Sequence, residues 1–203
     1  MEIGVMTCMT LLRSFMLGIC LQSIGALAWA DWELDSTASV INFATIKNDS
    51  VGEINTIKSL EGSISVSGAA QITIHLASVE TLIEIRNERI RSLLFETATF
   101  PVAQVDAQVD PALMADANGG EVHQLDLPVT LTLHGVQRDL TAPVSVLVEN
   151  DGGLLVFTTH PVLVNAADFG LDSGIEALRN VAGLKSISNV IPVTLQFRFI
   201  RPR

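Results

Sequence analysis

The 203-residue sequence predicts an all-β protein built from antiparallel strands. The main observation is a period of two, because apolar and polar side chains alternate in one segment after another. This alternation is typical of strands with one buried and one hydrated face, whereas buried parallel strands read as continuous apolar runs. Turn-rich tracts such as DANGGE and NDGG separate the segments. At least eight strands are indicated, and a set of that size closes into a barrel or folds into a sandwich to protect its edges.

The first thirty residues are predicted to be a secretory signal peptide. Arg13 precedes an apolar run from about Phe15 to Leu27, and Ala28-Trp29-Ala30 has the pattern of a cleavage site. The apolar run is shorter than the roughly 20 residues of a membrane-spanning helix, so no stable membrane span is expected after cleavage. We therefore expect cleavage after Ala30, a single domain over residues 31–203, and a periplasmic location.

Both cysteines, Cys8 and Cys20, lie in the predicted signal peptide, so the mature chain is expected to have no disulfide or thiol. A lipoprotein signal ending at Cys20 is disfavoured, because the bulky Ile19 stands where a small residue is needed. Removal of Glu2 and Arg13 leaves 21 acidic and 11 basic residues and a net charge of −10. That charge disfavours nucleic acid and electrostatic adhesion to anionic membranes as partners, although an apolar membrane contact stays open.

The strands are assigned in chain order on their alternating segments. Each segment is expected to bury its apolar positions on one face, and two further apolar runs, PVSVLVEN and LLVFTTHPVLV, precede the final strand. The apolar positions are Ile41 and Phe43; Ile64 and Val66; Ile72, Ile74 and Leu76; Ala103, Val105, Ala107 and Val109; Val129, Leu131 and Leu133; and Ile191, Val193, Leu195, Phe197 and Phe199.

Two short helices are predicted between the strands. The segments LIEIRNERIRSLLF and SGIEALRNVAGL place apolar residues mostly three or four positions apart. The positions are Ile83, Ile90, Leu93 and Leu94 in the first segment, and Ile175, Leu178, Val181 and Ala182 in the second.

The buried face of the last strand, IPVTLQFRF, could face a packed core or a cavity. A barrel of about eight strands is just wide enough to be filled by side chains or to hold one small ligand. The sequence has eight Phe, two Trp and no Tyr, and this shortage of large rings favours an interior that its own side chains do not fill. Alternation alone leaves both interpretations open.

No catalytic or metal-binding pattern is evident, and neither enzyme activity nor a cofactor is predicted. The sequence has no G-x-S-x-G elbow, no H-E-x-x-H helix and no glycine-rich phosphate loop. The four histidines, His75, His123, His134 and His160, have no short metal-ligand spacing, and His75 and His134 are expected on the polar faces of strands. The loop DANGGE is expected to be a hairpin turn, because it lacks the ligand spacing of an EF-hand.

Three arginines lie close together in the first predicted helix. Arg86, Arg89 and Arg91 occur within six residues, and Glu84 and Glu88 stand among them. One interpretation is a hydrated helix with local ion pairs. The other is that Arg86 or Arg89 faces the opening of a cavity and contacts the head group of a ligand, since a guanidinium binds anionic and carbonyl groups well.

The order of several motifs resembles the YceI-like family of secreted lipid-binding proteins. The motifs are DWELD, SVINF, LEGSISV, SVETLIEIRNERIRSLLFE, TFPVAQV, LTLHGVQRDL, DFGLDSG and IPVTLQFRF, and together they run from Trp32 to Phe199. The resemblance implies a lipocalin-like antiparallel β-barrel of about eight strands, with an elongated apolar interior that holds a polyisoprenoid chain of a quinone or a polyprenyl lipid. The expected lining residues are Ile41, Phe43, Ile64, Val66, Ile74, Leu131, Leu133, Val193, Leu195 and Phe197.

The sequence departs from the family at one place, because members often have a histidine shortly after the position of Phe43 and this chain reads FATIKNDSVG there. The expected function is that of an exported, non-enzymatic carrier of an isoprenoid lipid, with a homodimer left open. Two rival functions remain. One is a β-domain without a cavity that serves as an interaction or stress-protective module, and the other is an enzyme that acts on a lipid inside the barrel.

Overall fold

The computed structural model describes residues 32–114 and 120–202. The predicted signal peptide and its cleavage site after Ala30 lie outside this part of the chain, as does most of the DANGGE loop. The described residues form twelve strands and three α-helices. The strands are β1 (Trp32–Leu34), β2 (Val40–Lys47), β3 (Val51–Ile57), β4 (Leu60–Ile64), β5 (Ala69–His75), β6 (Val79–Glu80), β7 (Val102–Gln108), β8 (Val122–Leu133), β9 (Val136–Val148), β10 (Leu154–Thr158), β11 (Val162–Asn165) and β12 (Val190–Ile200); the helices are α1 (Glu84–Arg89), α2 (Pro111–Met114) and α3 (Asp172–Ala182).

Eight strands form a closed antiparallel barrel, which confirms the predicted fold class. Their order around the barrel is β1-β4-β5-β7-β8-β9-β10-β12, and β12 pairs back to β1 to close the ring. Closure leaves these eight strands without a free edge over the paired region. The choice between barrel and sandwich, which the alternation left open, is therefore decided in favour of the barrel.

The last strand, β12, has different neighbours along its two halves. Its C-terminal half pairs with β1 and β10, whereas its N-terminal half pairs with β2 and β11. From β2 the sheet continues to β3 and then to the two-residue β6. The hairpin of β2 and β3 thus extends the barrel wall at one end, and α1 follows directly after β6.

Two tight turns set the register of the long hairpins. Asn48 and Asp49 have φ values of 48° and 67° between β2 and β3, and His134 and Gly135 have 52° and 74° between β8 and β9. Positive φ at two successive residues gives a turn whose twist matches that of the strands it joins. The second turn contains only these two residues, whereas the first also includes Ser50. His134 therefore lies in a turn, not on the polar face of a strand as predicted, and its Nε2 lies 3.3 Å from a carboxylate oxygen of Glu96.

Helices cover one end of the barrel. Residues Ile90–Leu94 continue α1 as a π-helix, and α3 packs against this segment. The contact is close at Gly174, where a Cβ atom would lie 2.7 Å from the carbonyl oxygen of Leu93. Both predicted helices are thus present, with the short α2 in addition.

Side chains fill the barrel at the end away from α1 and α3. Trp32 of β1 lies opposite Ile64 of β4, and Phe199 of β12 lies opposite Leu154 of β10. All four side chains are less than 5% exposed and belong to the main hydrophobic core. The Trp32 indole Nε1 also donates to the Gly152 carbonyl at 2.9 Å, so its polar atom is satisfied. We call this region the closed end.

Candidate functional site

The barrel contains an elongated cavity of about 640 Å³, within the range of small-molecule sites. Its wall is formed by inward-facing positions of the strands and by residues of α1, the π-helix and α3. Thirty-one of its 37 lining residues have apolar side chains. An interior of this composition accepts an apolar chain and offers little to a polar solute.

Eight of the ten residues predicted to line a cavity do border it. They come from four different strands, so the barrel brings together positions that are far apart in sequence. Several of these side chains are only partly buried although they face inward, because part of their surface borders open space. The eight residues are Ile41, Phe43, Ile74, Leu131, Leu133, Val193, Leu195 and Phe197.

The structure corrects the two remaining positions. Val66 is 68% exposed, because β4 ends at Ile64 and the chain then turns at Ser65 and Gly68. Ile64 does face inward, but it packs in the closed end and does not border the cavity. Alternation identified the inward face of Ile64 but could not show how far the cavity extends or where the strand ends.

The final strand faces the cavity over most of its length. Ile191, Val193, Leu195 and Phe197 line the wall, which corresponds to about 20 Å at the usual rise per strand residue. Phe199 lies beyond them in the closed end, and its ring meets that of Phe197 edge to face at 6.4 Å between centroids. The buried face of IPVTLQFRF therefore contributes both to the cavity and to the core that closes it.

The cavity opens between the helices. Four apolar lining residues are exposed to solvent, namely Ile83 and Ile85 at the start of α1 and Val181 and Ala182 at the end of α3. We call this opening the mouth. α1 is held beside it by a buried pair, since the Thr81 hydroxyl and backbone N–H both donate to the Asn87 side-chain oxygen, at 2.7 and 2.8 Å.

Polar side chains on the wall are confined to one place near the mouth. Thr45, Lys47, Glu53 and Asn55 lie on inward-facing positions of β2 and β3, and we call these four residues the polar wall. They continue the face that carries Ile41 and Phe43 deeper in the barrel. The prediction from sequence missed all four, because it recognised inward positions only by their apolar side chains.

Glu53 is the centre of an ion cluster at the mouth. Its Oε2 lies 2.8 Å from Lys47 Nζ and 2.7 Å from Arg86 Nη1. The hydrogen bond from Lys47, helped by the positive charge of Arg86, lowers the pKa of the Glu53 carboxyl below its usual value despite partial burial. The cluster joins β2, β3 and α1 and keeps a net charge of +1, because one carboxylate pairs with two cations.

The three arginines of the first helix occupy different surroundings. Arg86 and Arg89 both border the cavity, whereas Arg91 points elsewhere and forms an ion pair with Glu84 at 2.6 Å. Within residues 32–114 and 120–202, the Arg89 side chain forms no hydrogen bond or ion pair. Arg91 thus makes the local ion pair of the first interpretation, and Arg86 and Arg89 lie at the cavity as in the second, whose head-group contact stays a prediction.

Asn55 lies one inward position deeper than Glu53 and is 3% exposed. Its Nδ2 donates to Thr45 Oγ1 at 3.2 Å, while its Oδ1 has no hydrogen-bond partner. Buried polar atoms are nearly always paired in folded proteins. Among the residues that the structure describes, Asn55 is therefore the one polar-wall residue with a buried side-chain atom that has no hydrogen-bond partner.

The described part of the chain contains no cluster of three or more His, Cys, Asp or Glu side chains able to hold a metal ion. His75 was predicted to be hydrated or hydrogen-bonded, and its Nε2 lies 3.1 Å from Oε1 of Glu61. Among the same residues no helix is both long and apolar enough to cross a bilayer.

Comparisons with known proteins agree with the barrel and its cavity. The family description "YceI-like domain" matches residues 32–199. A solved polyisoprenoid-binding domain from Saccharophagus degradans, implicated in plant cell wall breakdown, is 40% identical, with a TM-score of 0.82 over 86% of this chain and 100% of that domain. BcnA of Burkholderia cenocepacia is 18% identical with a TM-score of 0.61, over 81% of this chain and 98% of its own, and shares the fold. Comparison with curated protein sequences gives no match.

Proposed function

This chain belongs to the YceI-like family, and on that premise we propose that it binds a polyisoprenoid-type lipid, such as a quinone or a polyprenyl chain, inside its barrel. The observation that carries the proposal is the elongated apolar cavity with polar groups at one end only. The 40%-identical domain from Saccharophagus degradans, which is described as polyisoprenoid-binding, supports the same ligand class.

Binding is driven by transfer of the tail from water into the apolar interior. Each buried methylene-sized group contributes about 0.8 kcal/mol, so a long tail supplies most of the affinity without any specific polar contact. The wall needs only the right shape, because aliphatic side chains offer no hydrogen bonds. No covalent chemistry is required, and the protein acts by holding its ligand.

The export of the chain and its role as a carrier are part of the proposal. A leader that is removed after Ala30 would release the barrel into the periplasm, where a lipid with a long apolar tail needs a container to cross water. The rival interpretation of a β-domain without a cavity is disfavoured by the 640 Å³ space inside the barrel.

The proposal is tested by expressing the full chain in a bacterial host and purifying the product without detergent. Native mass spectrometry should show the protein with one bound lipid, and extraction should identify an isoprenoid. The mass of the polypeptide in the same spectrum reports whether residues 1–30 have been removed. A protein that carries no lipid and also binds no added quinone or polyprenyl lipid would refute the proposal.

A further inference from the structure

We propose that the lipid carries a hydroxyl group at its polar end and that this hydroxyl lies inside the barrel, hydrogen-bonded to Asn55 and Thr45. The inference rests on the proposed function, since it concerns the head group of the lipid held in the same cavity. It adds the chemical class of the head group and the side chains that select it.

The first step is the unused hydrogen-bonding atom of Asn55. Its side chain borders the cavity and is nearly inaccessible to solvent, yet Oδ1 has no partner among the described residues. A buried carbonyl oxygen without a donor destabilises the folded state, and such a group in a ligand site is accounted for when the ligand supplies the donor.

The second step is that a hydroxyl suits this pair of residues better than an ether or a ketone. A hydroxyl donates one hydrogen bond and accepts others, so it can donate to Asn55 Oδ1 while it accepts from the Thr45 hydroxyl. An ether or a ketone oxygen only accepts hydrogen bonds and would leave Asn55 Oδ1 unpaired. The pair therefore discriminates between oxygen head groups that can donate a hydrogen bond and those that only accept one.

The third step concerns anionic head groups. A fully ionised head group has no proton to donate, so it would leave Asn55 Oδ1 unpaired. The cluster of Lys47, Glu53 and Arg86 carries a net charge of +1, and Arg89 at the cavity border adds another positive charge. An anion would therefore bind at these cations near the mouth and not beside Asn55.

The ligand class that follows is a long isoprenoid tail ending in an alcohol, a phenol or a hydroquinone. Its hydroxyl sits just inside the Lys47–Glu53–Arg86 cluster, while its tail runs along β12 toward the closed end. The ion cluster then covers the head group instead of binding it.

The experiment compares three ligands with the same tail, namely a nonaprenyl alcohol, its methyl ether and its monophosphate, in the delipidated full-length protein and in its Asn55→Leu variant. Leucine has the same branching as asparagine, is somewhat larger and has no polar side-chain atom. The wild type is expected to bind the alcohol about tenfold more tightly than the ether, as one hydrogen bond predicts. The variant should lose that preference and bind the alcohol and the ether with equal affinity.

Equal binding of alcohol and ether by the wild type would overturn the inference, as would an equal loss for both ligands in the variant. Tightest binding of the monophosphate, abolished by Arg89→Gln, would also overturn it and would place an anionic head group at the mouth. Failure of all three ligands to bind would refute the proposed function itself, so the two failures are distinguishable.

A second measurement needs no variant and keeps the test valid if Asn55→Leu fails to fold. The side-chain amide protons of Asn55 are followed by NMR in the wild type. The alcohol is expected to shift them further than the ether does, because only the alcohol donates to the same carboxamide. Identical shifts with the two ligands would contradict the inference.

Discussion

Leu154 and Leu195 are leucines on the inward faces of two paired strands, but their surroundings differ. Leu154 is 1% exposed and packed on all sides in the closed end, whereas Leu195 borders the cavity. A side chain beside empty space already lacks contacts on one side, so its removal forfeits less dispersion and transfer energy. The leucines therefore report on the packed and hollow parts of one interior.

Leu154→Ala is expected to lower the free energy of unfolding by about 3–5 kcal/mol, and Leu195→Ala by only about 1–2 kcal/mol, in the lipid-free protein. Urea unfolding followed by circular dichroism measures both values. Equal losses would mean that the region around Leu195 is as tightly packed as the closed end, and the cavity assignment would be wrong.

A charge on the cavity wall should affect binding and stability together. Leu195→Asp places a carboxylate on the apolar wall and is expected to cost about 2–4 kcal/mol of unfolding free energy and most of the lipid affinity. Gln196→Asp is the matched control, because Gln196 is the next residue of β12 and is exposed. Retained lipid binding at native stability in Leu195→Asp would exclude Leu195 from the site.

At the scale of single residues, the sequence predicted eight of the 31 apolar residues of the wall and none of the polar wall. Alternation identifies residues such as Leu133 and Val193 because an apolar inward side chain stands out between polar neighbours. On β2 the order reverses, since Thr45 faces inward between Ala44 and the outward Ile46. The physical reason is that a cavity wall, unlike a packed core, can carry polar side chains.

At the scale of elements, α1 depends on a charge cluster for its position over the mouth. Glu53 on β3 holds Arg86 of α1 and Lys47 of β2, and its lowered pKa shows that the folded state favours the carboxylate. Stabilisation from a lowered carboxyl pKa is fully present above the unfolded value and is lost as the pH falls through the folded value.

Glu53→Gln should therefore destabilise the protein at pH 7, and the difference should shrink as the pH falls through the lowered pKa of the wild-type carboxyl, because protonation removes the charge that the variant lacks. The difference at pH 7 is expected to be below about 1 kcal/mol, since the cluster is partly exposed to solvent. Thermal unfolding of both proteins from pH 3 to 7 measures it. Parallel curves with a constant offset would show that the charge of Glu53 does not matter.

The packing of α3 on the π-helix depends on the absence of a side chain at Gly174. A methyl group there would meet the backbone of Leu93 and Leu94, at 2.7 and 2.9 Å. Gly174→Ala is expected to lower the unfolding free energy by about 1–2 kcal/mol although alanine favours helix, while exposed Ser173→Ala should have no such cost. If Gly174→Ala is as stable as the wild type, the two helices are not in close contact.

Turns were the elements that the sequence described least well. Asn48-Asp49 joins β2 to β3, and β3 itself has no apolar alternation to reveal it, because Glu53 and Asn55 take its inward positions. His134 continues the alternation of β8 but sits at the tip of the hairpin. A period-two pattern records side-chain polarity and does not register where the backbone reverses.

At the scale of the whole molecule, the barrel combines a packed half and a hollow half under one closed sheet. The resemblance to a lipid-binding family implied the cavity but not the packed half, and composition gave only the shortage of large rings. Trp32 and Phe199 pack in the closed end, whereas Phe43, Phe95 and Phe197 are the aromatic residues of a cavity wall that is otherwise mainly aliphatic. The total content of aromatic residues could not show where the rings lie.

A bulky residue should be tolerated in one half and not in the other. Val105→Phe, on the cavity wall, is expected to change stability by less than about 1 kcal/mol and to weaken lipid binding tenfold or more by filling space. Val148→Phe, in the packed core, should cost about 1–3 kcal/mol through overpacking. Thermal unfolding and lipid titration of both variants measure this contrast, and an unchanged affinity in Val105→Phe would contradict it.

Under the proposed function, the closed end also dictates the order of events in lipid exchange. In the described part of the chain the cavity opens at the mouth and is filled by side chains at the other end, so a lipid enters tail first and the group that enters last must leave first. Whatever delivers the lipid must therefore present its tail, and whatever receives it must capture the head at the mouth before the tail is drawn out. Loading and unloading then follow the same path in opposite directions. A donor membrane and an acceptor must therefore contact the mouth one after the other and not at the same time.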